Sequence, residues 1–175
     1  MDSQTLKALQ APLKEKYKAE PGAALVTLRA EARLGEGVTC KLATGKGLVE
    51  AGLHPATGGA ADAGGAGLAA CSGDMLLEAL AACAGVTLKA VATAIGVEIK
   101  GGAVTAEGSL DFRGTLGVSK EAPVGFREIK LGFRLDTEAG AEQLQTLMKL
   151  TERYCVVLQT LRNPPAISVA YSGGR

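Results

Sequence analysis

Apolar and polar residues alternate along this chain with two periods, and the switches between them mark out its elements. Val26, Leu28, Ala30, Ala32 and Leu34 alternate with Thr27, Arg29, Glu31 and Arg33, the pattern of a half-buried strand. Gly35-Glu36-Gly37 supplies a turn. Val38, Cys40 and Leu42 then resume the alternation against Thr39 and Lys41, so the two segments read as a hairpin with Cys40 pointing inward. A third short strand is expected at Leu48 to Glu50. From Ala51 to Ala70 Gly and Ala dominate, with His54-Pro55 near the start, and so few side chains able to bury area predict a loop.

Gly73 to Ile95 changes to helical period, with Ser72 as the expected N-cap and the Asp74 carboxylate favoured by the helix dipole. Leu76, Ala79, Leu80, Cys83, Thr87, Ala90 and Ala94 fall on one side, rich enough in small residues for a second helix to approach closely. Leu77, Val86 and Val91 widen the apolar surface, so burial on more than one face is expected. Val97 to Lys100 and the alternation of Val104, Ala106, Leu110 and Phe112 read as another hairpin turning at Gly101-Gly102. Ile129, Leu131, Phe133 and Leu135 alternate with Glu128, Lys130 and Arg134 as one more strand. From about Ala139 to Asn163 the helical period returns, with Leu144, Leu147, Met148, Thr151, Tyr154, Cys155, Leu158 and Leu161 on one stripe. Pro164-Pro165 stops it, and Ile167, Val169 and Tyr171 predict a last strand. At the other end Leu6, Leu9 and Leu13 form a narrow leucine stripe, interrupted by Pro12 and ended by Pro21-Gly22. Residues 1–22 therefore read as an N-terminal helical extension and 23–175 as one domain, α+β in class, with an antiparallel sheet and helices gathered on one face.

Composition narrows the function classes. A chain of 175 residues buries a core without staples. With 19 basic and 18 acidic residues the net charge is +1, which leaves no single-signed field for nucleic acid or anionic lipid. Three Phe, three Tyr and no Trp do not make stacking platforms for single strands. The N-terminal residues lack the order of a signal peptide, and Glu78 and Lys89 interrupt the apolar run of the central helix. The expectation is a cytoplasmic protein with neither nucleic-acid nor membrane partners.

The chemistry rests on cysteine. Cys40, Cys71, Cys83 and Cys155 lie far apart with no CxxC pair, and His54 is the only histidine, so zinc-type spacing is missing and no metal or bound cofactor is expected. In a reducing compartment structural disulfides are not the default either. Cys83 and Cys155 each lie on an apolar stripe, and the thiols meet if the two stripes face each other; free Cys is also a common core filler. Cys71 precedes the central helix by a turn or less, where N-terminal N–H groups favour a thiolate. His54 lies in a Gly/Ala context and reads as a loop residue rather than a base for a cysteine nucleophile, Glu152 and Arg153 flank Cys155, and the glycines of 58–67 follow no phosphate-binding arrangement.

The run Gly73-Asp-Met-Leu-Leu-Glu-Ala-Leu-Ala-Ala-Cys83, with Leu150-Thr-Glu-Arg-Tyr-Cys155-Val-Val-Leu some seventy residues later, resembles the OsmC/Ohr family of osmotically inducible and organic hydroperoxide resistance proteins. The resemblance runs from about Leu25 to Tyr171. It implies an OsmC-like fold, antiparallel sheets wrapped around central helices in an intertwined homodimer. It also implies thiol peroxidase chemistry, in which Cys83 attacks an organic hydroperoxide, becomes a sulfenic acid and condenses with Cys155 to a disulfide that an external dithiol, lipoyl-type in the family, reduces. Family members add an Arg from the first strand-turn region, a role carried here to Arg33, and a Glu about ten residues before the first cysteine. Here Gly73 holds that position and Asp74 is the nearest carboxylate, while Val156 follows the second cysteine where many members have proline. The rival implied by these departures is a redox-sensing or small-ligand-binding protein on the same scaffold with little peroxidase turnover.

Overall fold

Alternation at period two and helical stripes turn into a sheet ribbon with helices packed on it. The structure, a computed structural model, describes residues 2–5, 8, 11, 19, 32–34, 40–44, 47–52, 54, 70–117 and 119–173, the backbone alone in 32–49. In chain order the elements are β1 Ala32–Leu34, β2 Cys40–Thr44, β3 Gly47–Gly52, β4 Ala70–Cys71, α1 Ser72–Ile95, β5 Gly101–Ser109, α2 Phe112–Thr115, β6 Glu128–Asp136, α3 Ala141–Tyr154 and α4 Val156–Arg162. Residues 3–5, 8, 11 and 19 of the N-terminal extension are helical, while its leucines Leu6, Leu9 and Leu13, the strand residues Leu25 to Glu31, the Gly35–Gly37 turn and most of the Gly/Ala segment lie outside the described residues.

The expected first hairpin is present as the antiparallel pair β1–β2, with Ala32 opposite Leu42 and Leu34 opposite Cys40. Directly opposed residues share a face, so the apolar positions of the two segments fall together. β3 extends to Gly52 and takes in Ala51, which is buried, so the sheet reaches into the segment expected to be loop. β4 then pairs parallel to β3, Ala51 opposite Ala70, a departure from an all-antiparallel sheet. A parallel pair needs a long crossover, and residues 53–69 supply it.

The second hairpin differs from expectation. Val97–Lys100 is not strand; Val97 and Ile99 are buried in the core instead. β5 begins at Gly101 and runs through the Gly-Gly pair, with Gly101 opposite Asp136 and Ser109 opposite Glu128. Gly102 has φ 140°, and a Cβ there would collide with the Arg134 carbonyl, so the pair serves close strand approach rather than a turn. The strand also stops at Ser109, and Phe112 opens the short α2, where the Asp111 side chain accepts from the Arg113 N–H. β6 follows its alternation: Ile129, Leu131, Phe133 and Leu135 are half-buried, and Glu128, Lys130, Arg134 and Asp136 are exposed.

α1 packs on β5, α3 and α4. Its N-cap is Cys71 rather than Ser72, with no side-chain cap hydrogen bond, and Gly96 closes it in the left-handed conformation at φ 74°. The buried face is Leu80, Ala84, Leu88, Val91 and Ala92. This face is turned by roughly a quarter of a helical turn from the expected stripe. Ala79, Ala90 and Ala94 therefore stand exposed, as does Val86 at 73 %. Leu88, Val91 and Ala92 meet Leu147, Val97 and Ile99 in one core cluster; Leu80 and Ala84 meet Cys155 and Leu158 in a second. By length and composition α1 is also apolar enough to cross a membrane, so Glu78 and Lys89 do not themselves forbid a span; its contacts here are those of a core helix. Beyond α4, residues 164–173 run without secondary structure, and Ile167, Val169 and Tyr171 are 82 %, 91 % and 97 % exposed. The last strand expected there does not form within this chain, because no ladder among the described strands receives it.

Candidate active site

The middle of α1 brings Cys83 against the junction of α3 and α4. Its Sγ lies 3.5 Å from the Cys155 Sγ, within reach of a sulfur hydrogen bond in which the Cys155 thiol donates. Cys83 is half-buried and Cys155 is fully buried. The two helix stripes thus face each other at the cysteines, and these two candidates are the ones brought together.

Helical periodicity runs straight through Cys155, but the helix does not. The residue has φ −72° and ψ 106° and serves as C-cap of α3 and N-cap of α4. Its N–H still reaches the Thr151 carbonyl at 3.0 Å, and its carbonyl accepts the Gln159 N–H at 2.9 Å. In a continuous helix the Val156 and Val157 N–H groups would bond the carbonyls four residues back. Past the break both act on the Cys83 thiol and lower its pKa. The break also seats the Cys155 side chain among Leu80, Ala84 and Leu158.

The local electrostatics separate the thiols. Burial pushes Cys83 up, but the Val157 N–H, the Cys155 thiol, the Thr87 hydroxyl and the Val156 N–H outweigh it and leave its pKa below the ordinary thiol value. For Cys155 burial again acts upward, the Leu158 N–H opposes it, and the neighbouring Cys83 adds to the rise, so its pKa ends above the ordinary value. Of the two thiols, Cys83 is therefore the one that loses its proton first. Mid-helix placement does not raise the Cys83 pKa overall, contrary to what an apolar stripe suggests, and the largest of the opposing causes is the Val157 amide from another element.

The other candidates whose side chains are described are not gathered at this pair. Asp74 lies exposed in the first turn of α1, nine residues before Cys83 and so about 13 Å along the helix axis. Arg33 lies in β1 opposite Lys41, and its side chain is not described. Arg153 stacks over the Tyr154 ring, with Cζ 5.6 Å from the centroid. Cys71 and His54 line a separate cavity of about 330 Å³, where the imidazole stacks on Phe112 at 5.0 Å. Thr87 and the Val156 and Val157 amides go unrecognised as site groups in sequence; only the i+4 spacing of Thr87 from Cys83 hints at one of them. A cavity of about 400 Å³ backs onto the thiol cluster, walled by Leu80, Ile129, Leu131, Phe133 and Leu158, but neither thiol lines it.

A buried thiol pair joining a long central helix to the helix after β6 invites comparison with known proteins. The family model described as OsmC-like protein matches residues 64–170. The chain belongs to this family. Among solved structures, an OsmC-like protein from Mycoplasma pneumoniae superposes with a TM-score of 0.64 at 18 % identity, covering 79 % of this chain and 89 % of that one. An organic hydroperoxide resistance protein from Elizabethkingia anophelis gives 0.61 at 20 % identity, covering 81 % and 91 %. The organic hydroperoxide resistance protein OhrB of Bacillus subtilis gives 0.53 at 24 %, covering 81 % and 94 %. At these identities the structural likeness speaks for the fold. A comparison with curated proteins finds no significant match. In this OsmC-like chain both cysteines fall inside the matched region, and Arg33 precedes it.

Proposed function

We propose that this OsmC-like chain is a thiol-dependent peroxidase for organic hydroperoxides, with Cys83 as nucleophile and Cys155 as resolving thiol. The observation that carries the reading is the 3.5 Å thiol pair with pKa values shifted in opposite directions. The Cys83 thiolate attacks the terminal peroxide oxygen: an S–O bond forms, the O–O bond breaks, and the departing alkoxide takes a proton, for which the Cys155 thiol is the adjacent source. The Cys155 thiolate then attacks the Cys83 sulfur, forming S–S and releasing hydroxide, which leaves as water on protonation. An external dithiol returns both cysteines to thiols and is itself oxidised to a disulfide. Closing the bond requires the sulfurs to approach by about 1.5 Å from their present separation.

The active unit in this reading is a homodimer. Support comes from the exposed apolar strip Ala79, Ala82, Val86 and Ala90 on α1 and from the strand-patterned residues 166–171, which find no ladder among the described strands. A second copy accommodates both, helix against helix and segment against sheet edge.

The rival, a redox sensor or ligand-binding protein with little turnover, is favoured by one observation: no cation is among the causes that lower the Cys83 pKa among the described residues. Steady consumption of cumene hydroperoxide with dihydrolipoamide as reductant separates the two. Peroxidase activity predicts many turnovers per chain, lost in Cys83→Ser, with a sulfenic acid trapped by dimedone in Cys155→Ser. A single stoichiometric oxidation per chain supports the sensor, and turnover unchanged in Cys83→Ser refutes the assignment of the nucleophile.

A further inference from the structure

Side chains bridge the helix break at Cys155. Glu152, near the end of α3, accepts from Arg162, at the end of α4, with Arg162 Nη1 2.8 Å from Glu152 Oε2. The Gln159 side-chain amide donates to the Glu152 carbonyl at 2.7 Å. In a continuous helix that carbonyl would receive the Val156 N–H. Gln159 therefore supplies the donor that the break removes, and the Val156 N–H remains available to the Cys83 thiol. The arrangement leaves no incentive for Val156 to fall back into a straight helix, which would swing Cys155 off its present line to Cys83.

The Arg162 and Glu152 side chains are 54 % and 46 % exposed, so their ion pair adds little to overall stability. What the two bonds do is tie α3 to α4 on both sides of a single residue. We propose that Glu152, Gln159 and Arg162 are positioning residues for the resolving thiol: they hold the bend that keeps the Cys155 Sγ facing Cys83 and thereby favour closure of the Cys83–Cys155 disulfide. This rests on the peroxidase reading for its purpose, but the closure itself is measurable without peroxide.

The measurement is the thiol–disulfide equilibrium of the full chain in glutathione buffers. One oxidised glutathione is reduced to two glutathione thiols as the two cysteines lose two protons and two electrons and form S–S. For the Gln159→Leu/Arg162→Met variant the expected result is an equilibrium constant about tenfold lower than wild type, a reduction potential about 30 mV higher. Arg162→Lys, which keeps a cation for Glu152, is expected to retain most of the wild-type value. Circular dichroism and thermal unfolding check that the variants are folded; should the double variant fail to fold, Glu152→Gln carries the same comparison. Potentials within twofold of wild type in equilibrium constant overturn the clasp, whatever the turnover. A wild-type chain that closes the disulfide with glutathione but consumes no hydroperoxide refutes the peroxidase and leaves the clasp supported by the variants. A wild-type chain that does not close the disulfide refutes both.

Discussion

Thr151→Val should stabilise this protein. The Thr151 side chain is 1 % exposed, and its hydroxyl has no hydrogen-bond partner among the described residues. Leaving a hydroxyl unsatisfied in the interior costs about 1–3 kcal/mol. Valine has nearly the same shape, is branched at the same carbon, and stands close to threonine in helix propensity, so the substitution exchanges an orphaned O–H for a methyl group with little change in packing. A net gain of about 1–2 kcal/mol is expected, which for a chain of this size raises the melting temperature by about 3–6 °C. Urea unfolding of the reduced protein should show a higher midpoint at unchanged slope, the mark of a change in stability alone. Thr151→Ser is the counter-test: it keeps the hydroxyl and removes a methyl group, and should destabilise by about 1 kcal/mol. A Thr151→Val protein destabilised by ~1 kcal/mol or more would refute the reasoning, because it would mean that the hydroxyl is satisfied in solution. The thiol chemistry should be indifferent to the change, since Thr151 touches the site through its main-chain carbonyl, which caps the Cys155 N–H.

Two further outcomes bear on the site. Alkylation of the reduced wild-type chain by iodoacetamide, followed against pH peptide by peptide, should give Cys83 a half-point below that of Cys155, because only the thiolate reacts and the two pKa values are shifted down and up respectively. The reverse order would assign the thiolate to the wrong residue. Val86→Asp places a charge on the exposed apolar strip of α1, which costs nothing in a monomer and disrupts a helix-to-helix contact in a dimer. Sedimentation velocity should show wild-type dimers and a shift toward monomer in the variant; a monomeric wild-type chain removes the dimer from the proposal.

How far the fold can be read from residues depends on contrast between faces. β6 is legible because charged residues alternate with Ile129, Leu131, Phe133 and Leu135, and only one face of such a strand can be buried. α1 offers little contrast, with alanines, valines and leucines on nearly every side, so its existence and length follow from the pattern while its orientation does not. Leu80, Ala84 and Leu88 win the core because they meet Leu147, Cys155 and Leu158, contacts that only the tertiary structure supplies. Residues 166–171 carry a strand pattern that lacks a ladder among the described strands, since periodicity describes what a segment can pair with and not whether a partner lies beside it.

The candidate site shows the same limit in its chemistry. Two cysteines on two apolar stripes are enough to suggest a thiol pair, and the 3.5 Å separation places them together. The group that activates Cys83 is harder to see, because a search for it among side chains turns to arginine or a carboxylate. In the structure the lowering comes from the Val157 amide first, then the Cys155 thiol, Thr87 and the Val156 amide. Every residue but proline has an amide N–H, so these donors leave almost no residue type to recognise; what selects them is the break at Cys155. The β-branched pair Val156-Val157, weaker in helix propensity than the Leu and Gln around it, is the one local sign that the helix yields there. The two thiols and the donors that lower the Cys83 pKa thus depend on one bend, and a substitution that straightens it should impair thiolate formation and disulfide closure together.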